Sequence, residues 1–372
     1  MIITDFVDAV FGLQYGDEGK GKIIASLVAM FYYDYTVRYN GGPNAGHSIH
    51  KQNGADYALH QLPSSIAYQK PGYIAPGSVL DFEKLMQETS DFMLVEGFDP
   101  LNYLYIHPDV PLIEPKHLVA DKNYHYHNQG STASGIAPAY SEYYNRTGKT
   151  FKSLEKQLEN YSFLVKRLYE ADTLLLEGAQ GFYLNPSSGN YPYTTSSNCS
   201  PAAASASLGF SPKKFRNIIG VAKCYETRSG EDPNFYNSFL QNKFTSKPIH
   251  FDESHYKEFD LLQKVGKEFG VTTGRKRKVR FLCLNRLINS IQATGTNIVV
   301  LNKWDILEKV GIFRLIINED ILSFENSSLM FNFIKGTILA CCESVEHVIY
   351  SASPCSDIEW KDYIYDKKIS GS

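Results

Sequence analysis

The chain has 372 residues, 43% of them apolar, with 37 basic against 40 acidic side chains and a net charge of −3. This composition excludes a disordered or fibrous chain, and the near balance of charge excludes a polyelectrolyte attraction to nucleic acid, so any phosphate site must be local. No apolar run reaches the roughly 18 residues of a spanning helix. Asp5 and Asp8 stand where a leader would carry Lys or Arg, and the six cysteines show no CxxC spacing. Both features lead to the expectation of a cytoplasmic protein with reduced thiols.

In chain order, Phe6 to Leu13 is an apolar run ending at a glycine-rich loop and predicts a buried strand. Lys22 to Phe31 predicts a helix, and Thr36 to Tyr39 a second strand before another glycine loop. That order predicts an α/β fold with a central, mostly parallel sheet flanked by helices. With no composition break, residues 1–372 are expected to form a single large domain. Residues 121–148 are rich in Tyr, Asn, Gly and Ser and predict a long loop. Leu154, Leu158, Tyr161, Val165 and Leu168 predict an amphipathic helix over 152–169. Further strands are predicted at 173–176, 217–222 and 297–301.

Five motifs stand out. Gly16-Asp17-Glu18-Gly19-Lys20-Gly21-Lys22 follows a strand and opens a helix. Glycines there let backbone N–H groups close on an anion, and the helix N-terminus adds positive potential. The spacing is P-loop-like, but Ile23 stands where Ser or Thr would hold Mg²⁺. Asn40-Gly41-Gly42-Pro43-Asn44-Ala45-Gly46-His47 places a histidine, a candidate general acid, at the same sheet edge. Asn302-Lys303-Trp304-Asp305 has the N-K-x-D form that reads guanine, because a carboxylate accepts from the N1–H and 2-amino donors that adenine lacks. Thr272-Thr273-Gly274-Arg275-Lys276-Arg277-Lys278 is a basic loop suited to a small polyanion. Residues 130–140 are small and hydroxyl-rich, suited to phosphate oxygens. His125 and His127 lie just before them, but no third ligand accompanies them, so a metal pair is not assigned.

Together GDEGKGK, GGPNAGH, EGAQG, YPYTTSSN, TTGRKR and NKWD, spread over about residues 7–310, resemble adenylosuccinate synthetases. The resemblance implies GTP- and Mg²⁺-dependent joining of L-aspartate to a 6-oxopurine nucleotide. It implies Asp17, His47 and Lys20 as catalytic residues, with Asp17 and the Gly46 carbonyl as Mg²⁺ ligands. It assigns Asn44, Thr132, Gln180 and Thr195 to the acceptor nucleotide, and Arg146 to the partner subunit's site in a homodimer. Thr273, Arg275 and Arg277 fall to aspartate. Gly16, Gly19, Gly21, Lys303, Asp305 and Ser351 fall to GTP. The partners expected are thus small molecules and a second copy of the chain, with no nucleic acid and no membrane.

The chain departs from the family's usual pattern. Tyr15 replaces Trp, Glu226 to Pro233 replaces STRVGAGP, Val279-Arg280-Phe281 replaces TGW, and Ser351 to Pro354 only weakly echoes STGP. The leading expectation is IMP as acceptor. The alternative is the phage branch acting on dGMP, in which Glu231 or Asp232 could accept from the 2-amino group. A GTP-binding switch is a more remote reading, since it leaves the aspartate loop and EGAQG without a purpose.

Overall fold

The computed structural model describes residues 1–50, 56–154, 164–236, 249–270, 274–318, 320–353 and 358–364. Its strands, in order, are β1 (Ile2–Gly12), β2 (Tyr35–Arg38), β3 (His47–His50), β4 (Asp56–Leu59), β5 (Gly72–Ile74), β6 (Leu104–Ile106) and β7 (Glu170–Glu177). They continue with β8 (Phe215–Lys223), β9 (Tyr225–Arg228), β10 (Lys278–Cys283), β11 (Ile298–Asn302), β12 (Arg314–Ile317), β13 (Asp320–Ser323) and β14 (His347–Tyr350). The helices are α1 (Lys20–Met30), α2 (Phe82–Glu96), α3 (Pro115–Asp121), α4 (His127–Gln129), α5 (Ile136–Tyr144) and α6 (Pro201–Leu208). Then come α7 (Glu253–Val265), α8 (Leu284–Thr294), α9 (Trp304–Val310) and α10 (Ser327–Cys341).

Eight strands form the central sheet in the order β14-β11-β8-β1-β7-β2-β5-β6. Every neighbouring pair in it is parallel. Parallel strands need crossovers and are covered on both faces, which is why β1, β8 and β11 read as near-continuous apolar runs. One face packs Val10, Leu175, Ile219 and Val300 against Ile23, Ile24 and Leu27 of α1. A second sheet, β13-β12-β10-β9, grows from β8 through Cys224. Its β9–β10 pair is antiparallel and sets Glu226 opposite Arg280. In open parallel sheets ligands bind beyond the carboxyl ends of the strands. Here that edge carries the loops after β1, β2, β7, β8 and β11.

Two sequence expectations are corrected. Residues 121–148 are largely helical: α3 runs into a π-helical turn at Lys122–Tyr126, then α4 and α5. Asp121 organises the connection by accepting from Ser131 Oγ at 2.8 Å and the Gly135 amide at 2.7 Å. In α5, Ile136, Ala139 and Tyr140 are buried, a helical face hidden among polar neighbours. The predicted helix over 152–169 is not continuous. Phe151–Leu154 is a 3-10 turn, Leu164 is again 3-10, Val165 bridges Ile106, and residues 166–169 are irregular. Leu164 and Leu168 are buried there in different parts of the core, Leu164 beside Ile106 and Val110 and Leu168 beside Ala171 and Leu174. Residues 155–163 lie outside the described residues.

Candidate functional site

The loop between β1 and α1 bends through Gly16, Asp17 and Gly19, with φ of 86°, 61° and 91°. At Gly19 a Cβ would also sit 2.8 Å from Asn302 Nδ2, so both conformation and space require glycine. Glu18 braces this loop from inside. Its buried carboxylate accepts from the Gln14 and Gly16 amides at 3.1 and 2.8 Å and from Lys20 Nζ at 2.7 Å. Lys20 also donates to the Gln180 carbonyl at 2.6 Å. Asn302 Nδ2 donates to the Glu18 carbonyl at 2.7 Å, which ties the guanine-type motif after β11 to the phosphate loop.

His47 opens β3, and its Nδ1 hydrogen-bonds Glu177 at the end of β7. Glu177 also accepts from the Ser64 amide at 2.8 Å and Ser64 Oγ at 2.6 Å, and lies 3.7 Å from Arg38. Burial and the Arg38 charge hold His47 down to about 4. Burial pushes Glu177 up, but His47, Arg38 and Ser64 outweigh it and hold the carboxyl at about 2. The ring is therefore neutral at pH 7. With Nδ1–H assigned to the carboxylate by that contact, Nε2 is left as an acceptor.

Asp17 Oδ2 lies 2.8 Å from Arg277 Nε and accepts from Ser229 Oγ at 3.3 Å. Arg277 continues to Glu268 at 2.6 Å, and Glu268 takes Lys223 Nζ at 3.2 Å and Tyr225 OH at 2.7 Å. Burial alone would raise Glu268, but Lys223, Arg277 and Lys303 hold it at about 2. Arg277 of the basic loop thus bridges the buried Glu268 carboxylate and Asp17. Arg275 donates to the Gly130 carbonyl at 2.8 Å and covers the Tyr126 ring at 4.7 Å.

These elements enclose a cavity of about 870 Å³. Asp17, Lys20, Gly46, His47 and the glycines at 16, 19 and 21 line it, as do Asn44, Thr132, Gln180 and Thr195. Arg275, Arg277, Lys303 and Asp305 complete the group, with Asp305 paired to Lys309 at 2.8 Å. Two residues expected at the site do not line the cavity. Arg146 is exposed beyond α5 with φ 64°, and Ser351 is buried, accepting from Lys22 Nζ at 2.5 Å. Thr273 lies outside the described residues. Glu231 and Asp232 also lie outside the lining: Glu231 pairs with Lys278 at 3.0 Å, and Asp232 with Arg228 at 3.4 Å and Asn190 at 2.7 Å.

Sequence reading missed Glu18, Arg38, Glu177, Lys223 and Glu268. Glu18 and Glu177 sit inside motifs that had been noticed, GDEGKGK and EGAQG. Arg38 and Lys223 end strands directly after buried apolar residues, and a charge in that position was the available signal. Glu268 carries none.

One acidic and histidine cluster lies outside the cavity, formed by Glu114, His117 and Glu142. It does not suit a metal. His117 Nδ1 accepts from the Glu114 amide at 3.0 Å, so in the neutral ring Nε2 carries the proton and has no lone pair to offer. Lys116 and Lys149 already pair with both carboxylates, at 2.5 to 3.3 Å.

A parallel sheet whose carboxyl ends carry a phosphate loop, a guanine-type motif and an arginine loop over one cavity defines a nucleotide-dependent α/β enzyme. The adenylosuccinate synthetase family model matches residues 9–161 and 149–318. The adenylosuccinate synthetase of Thermodesulfovibrio yellowstonii is 33% identical over 355 residues, covering 82% of this chain and 78% of that protein. That of Thermosipho africanus is 34% identical over 350 residues, covering 82% and 81%. The chain belongs to the adenylosuccinate synthetase family, ligases that form a C–N bond. Among solved structures, the fully ligated adenylosuccinate synthetase of Plasmodium falciparum superposes with a TM-score of 0.72 at 24% identity, covering 94% of this chain and 98% of that one. The cyanophage S-2L succinoaminodeoxyadenylate synthetase, bound to dGMP and dATP, gives 0.71 at 18% identity, covering 95% and 94%. Both share the fold. Among the described residues no helix is long and apolar enough to cross a membrane.

Proposed function

We propose that this protein joins L-aspartate to C6 of IMP, with GTP as phosphoryl donor, in purine nucleotide biosynthesis. The observation that carries the reading is the convergence of Asp17, His47, Lys20, Arg277 and Asp305 on one cavity. Asp17 takes the N1 proton of the purine, and the resulting 6-oxyanion attacks the γ-phosphate. An amide-like oxygen is a poor leaving group, and phosphorylation gives C6 one that the aspartate amine can displace. Lys20, already beside the Gln180 carbonyl, offsets charge on the transferring group. His47 donates to the departing diphosphate. Its ring is neutral in the empty cavity, and the negative charge of a bound triphosphate raises its proton affinity toward that role. Glu177 keeps the ring oriented throughout.

The donor set suits Mg²⁺: a carboxylate on Asp17 and the backbone carbonyl of Gly46 are hard oxygen ligands lining one cavity. Bound there, the ion supplies charge neutralisation along the phosphates. Asp17 first has to leave Arg277, and the carboxylate of incoming aspartate competes for that guanidinium.

Asp305, in the first turn of α9, supports guanine over adenine in the donor. Glu231 and Asp232 lie outside the cavity lining and turn to Lys278 and Arg228, which supports IMP over dGMP. Asn44, Thr132, Gln180 and Thr195 hold the acceptor nucleotide, and Thr273, Arg275 and Arg277 close on aspartate. Gly16, Gly19, Gly21 and Lys303 hold GTP, with Ser351 acting through Lys22. Arg146 reaches the site of the other subunit in a cytoplasmic homodimer, and the whole chain serves as one domain. The test is aspartate-dependent phosphate release with IMP or dGMP, each with GTP or ATP. Turnover with IMP and GTP is expected. Turnover with dGMP alone overturns the acceptor assignment, and turnover with ATP alone overturns that of the donor.

A further inference from the structure

At the cavity wall lies a buried polar group built on Tyr15, Glu226, Arg280 and Arg286. Tyr15, immediately before Gly16 and Asp17, packs its ring against Tyr183 and Phe235, each at 5.6 Å between centroids. Its hydroxyl accepts from Arg286 and, at 3.5 Å, from Arg280. Arg280 is fully buried, pairs with Glu226 across the β9–β10 ladder and donates to the Phe235 carbonyl. From Glu226 the chain runs in three residues to Ser229, which donates to Asp17. On the way Arg228 covers the Tyr15 ring at 5.2 Å. The phenol is therefore fastened to α8 and β10, and two of the segments that meet at Asp17, the phosphate loop and the 226–230 loop, are fastened to the same arginine, while Arg277 reaches Asp17 from the basic loop.

We infer that Tyr15, anchored by Arg286 and Arg280, is a positioning residue for Asp17, and that the Glu226–Arg280 pair aligns Ser229 from the opposite side. The physical case rests on the backbone of Asp17. A left-handed, non-glycine residue is held against its own preference, so it needs a rigid support on each side. Glu18 supports the loop from the C-terminal side and Tyr15 from the N-terminal side. Three guanidiniums (Arg228, Arg280, Arg286) face two carboxylates (Glu226, Asp232) in this layer, so the phenol oxygen is a needed acceptor for the excess positive charge.

The inference rests on the proposed reaction for its catalytic readout and carries a second readout that does not. Tyr15→Phe keeps the ring and removes the acceptor. Losing one hydrogen bond to a charged group is expected to lower kcat by about tenfold or more, with KM for GTP and aspartate within about twofold. Amide exchange in the peptide spanning 14–21 is expected to rise by about tenfold, with exchange elsewhere unchanged. Arg286→Met is expected to give the same two effects, and the double variant no more than Tyr15→Phe alone, because the Arg286–Tyr15 contact is already lost in each single variant. Unchanged exchange at 14–21, unchanged kcat beside faster exchange, or additive effects in the double variant would each overturn the inference. If the wild-type protein turns over neither IMP nor dGMP, the proposed reaction fails, and the exchange comparison decides the positioning role by itself.

Discussion

Replacing Glu177 by Gln tests the buried support of His47. The native carboxylate accepts two bonds from Ser64 and one from His47, and faces Arg38 at 3.7 Å, with no solvent access. An amide is isosteric, but it has one acceptor oxygen where three donors now converge, and it carries no charge for Arg38. Removing one partner of a buried ion pair costs about 3–5 kcal/mol, because the other charge stays buried and uncompensated. For a chain of this length that is a fall in melting temperature of about 4–6 °C. Loss of the imidazole's orientation is expected to lower kcat by about 100-fold, as less of the population presents Nε2 to the phosphates. Thermal denaturation and a steady-state phosphate-release assay at saturating GTP check both figures. A variant melting within 2 °C of wild type and turning over within about threefold of it would refute the argument that Glu177 holds His47 and neutralises Arg38.

The remaining predictions concern charge and assembly. Asp17→Ala should abolish turnover while leaving nucleotide binding by calorimetry within a few-fold, and near-normal turnover would remove Asp17 from the mechanism. Arg277→Met should raise KM for aspartate by about 100-fold, the loss of a charged contact worth about 3 kcal/mol, with a much smaller change for GTP. An equal rise for both substrates would contradict its assignment. Stability should decline on acidification in two stages. His47 is depressed from 6.5 to about 4, so the unfolded chain takes up that proton first, and stability begins to fall below about pH 6.5. Glu177 and Glu268 are depressed from 4.5 to about 2, so their contribution is complete above about pH 4.5 and is lost as pH falls toward 2. Denaturant titrations from pH 8 to 3 should show that slope, and flat stability between pH 6.5 and 4 would contradict a neutral, buried His47. Arg146→Ala should raise KM for the acceptor nucleotide without changing the melting temperature, and a fully active monomer in gel filtration would exclude a role across subunits.

Much of this protein is legible along the chain because its chemistry is local. A phosphate loop must be contiguous, since successive backbone amides form it, and so GDEGKGK announced itself. The parallel sheet was legible for a similar reason: strands covered on both faces carry contiguous apolar stretches, as residues 9–12 in β1, 218–222 in β8 and 298–301 in β11 do. Periodicity misled over 152–169, where a helical spacing of apolar residues begins in a 3-10 turn and ends in irregular chain, and in α5, where a helix hid among polar residues. What only tertiary structure decided is the pairing of lone charges distant in sequence. Glu177 meets His47 across 130 residues, Arg277 meets Asp17, and Glu268 meets Lys223 across 45. A single charged residue has no pattern of its own. Its role depends on which opposite charge the sheet order brings within about 3 Å in a place water cannot screen, and that order is set by the crossovers rather than by any local stretch.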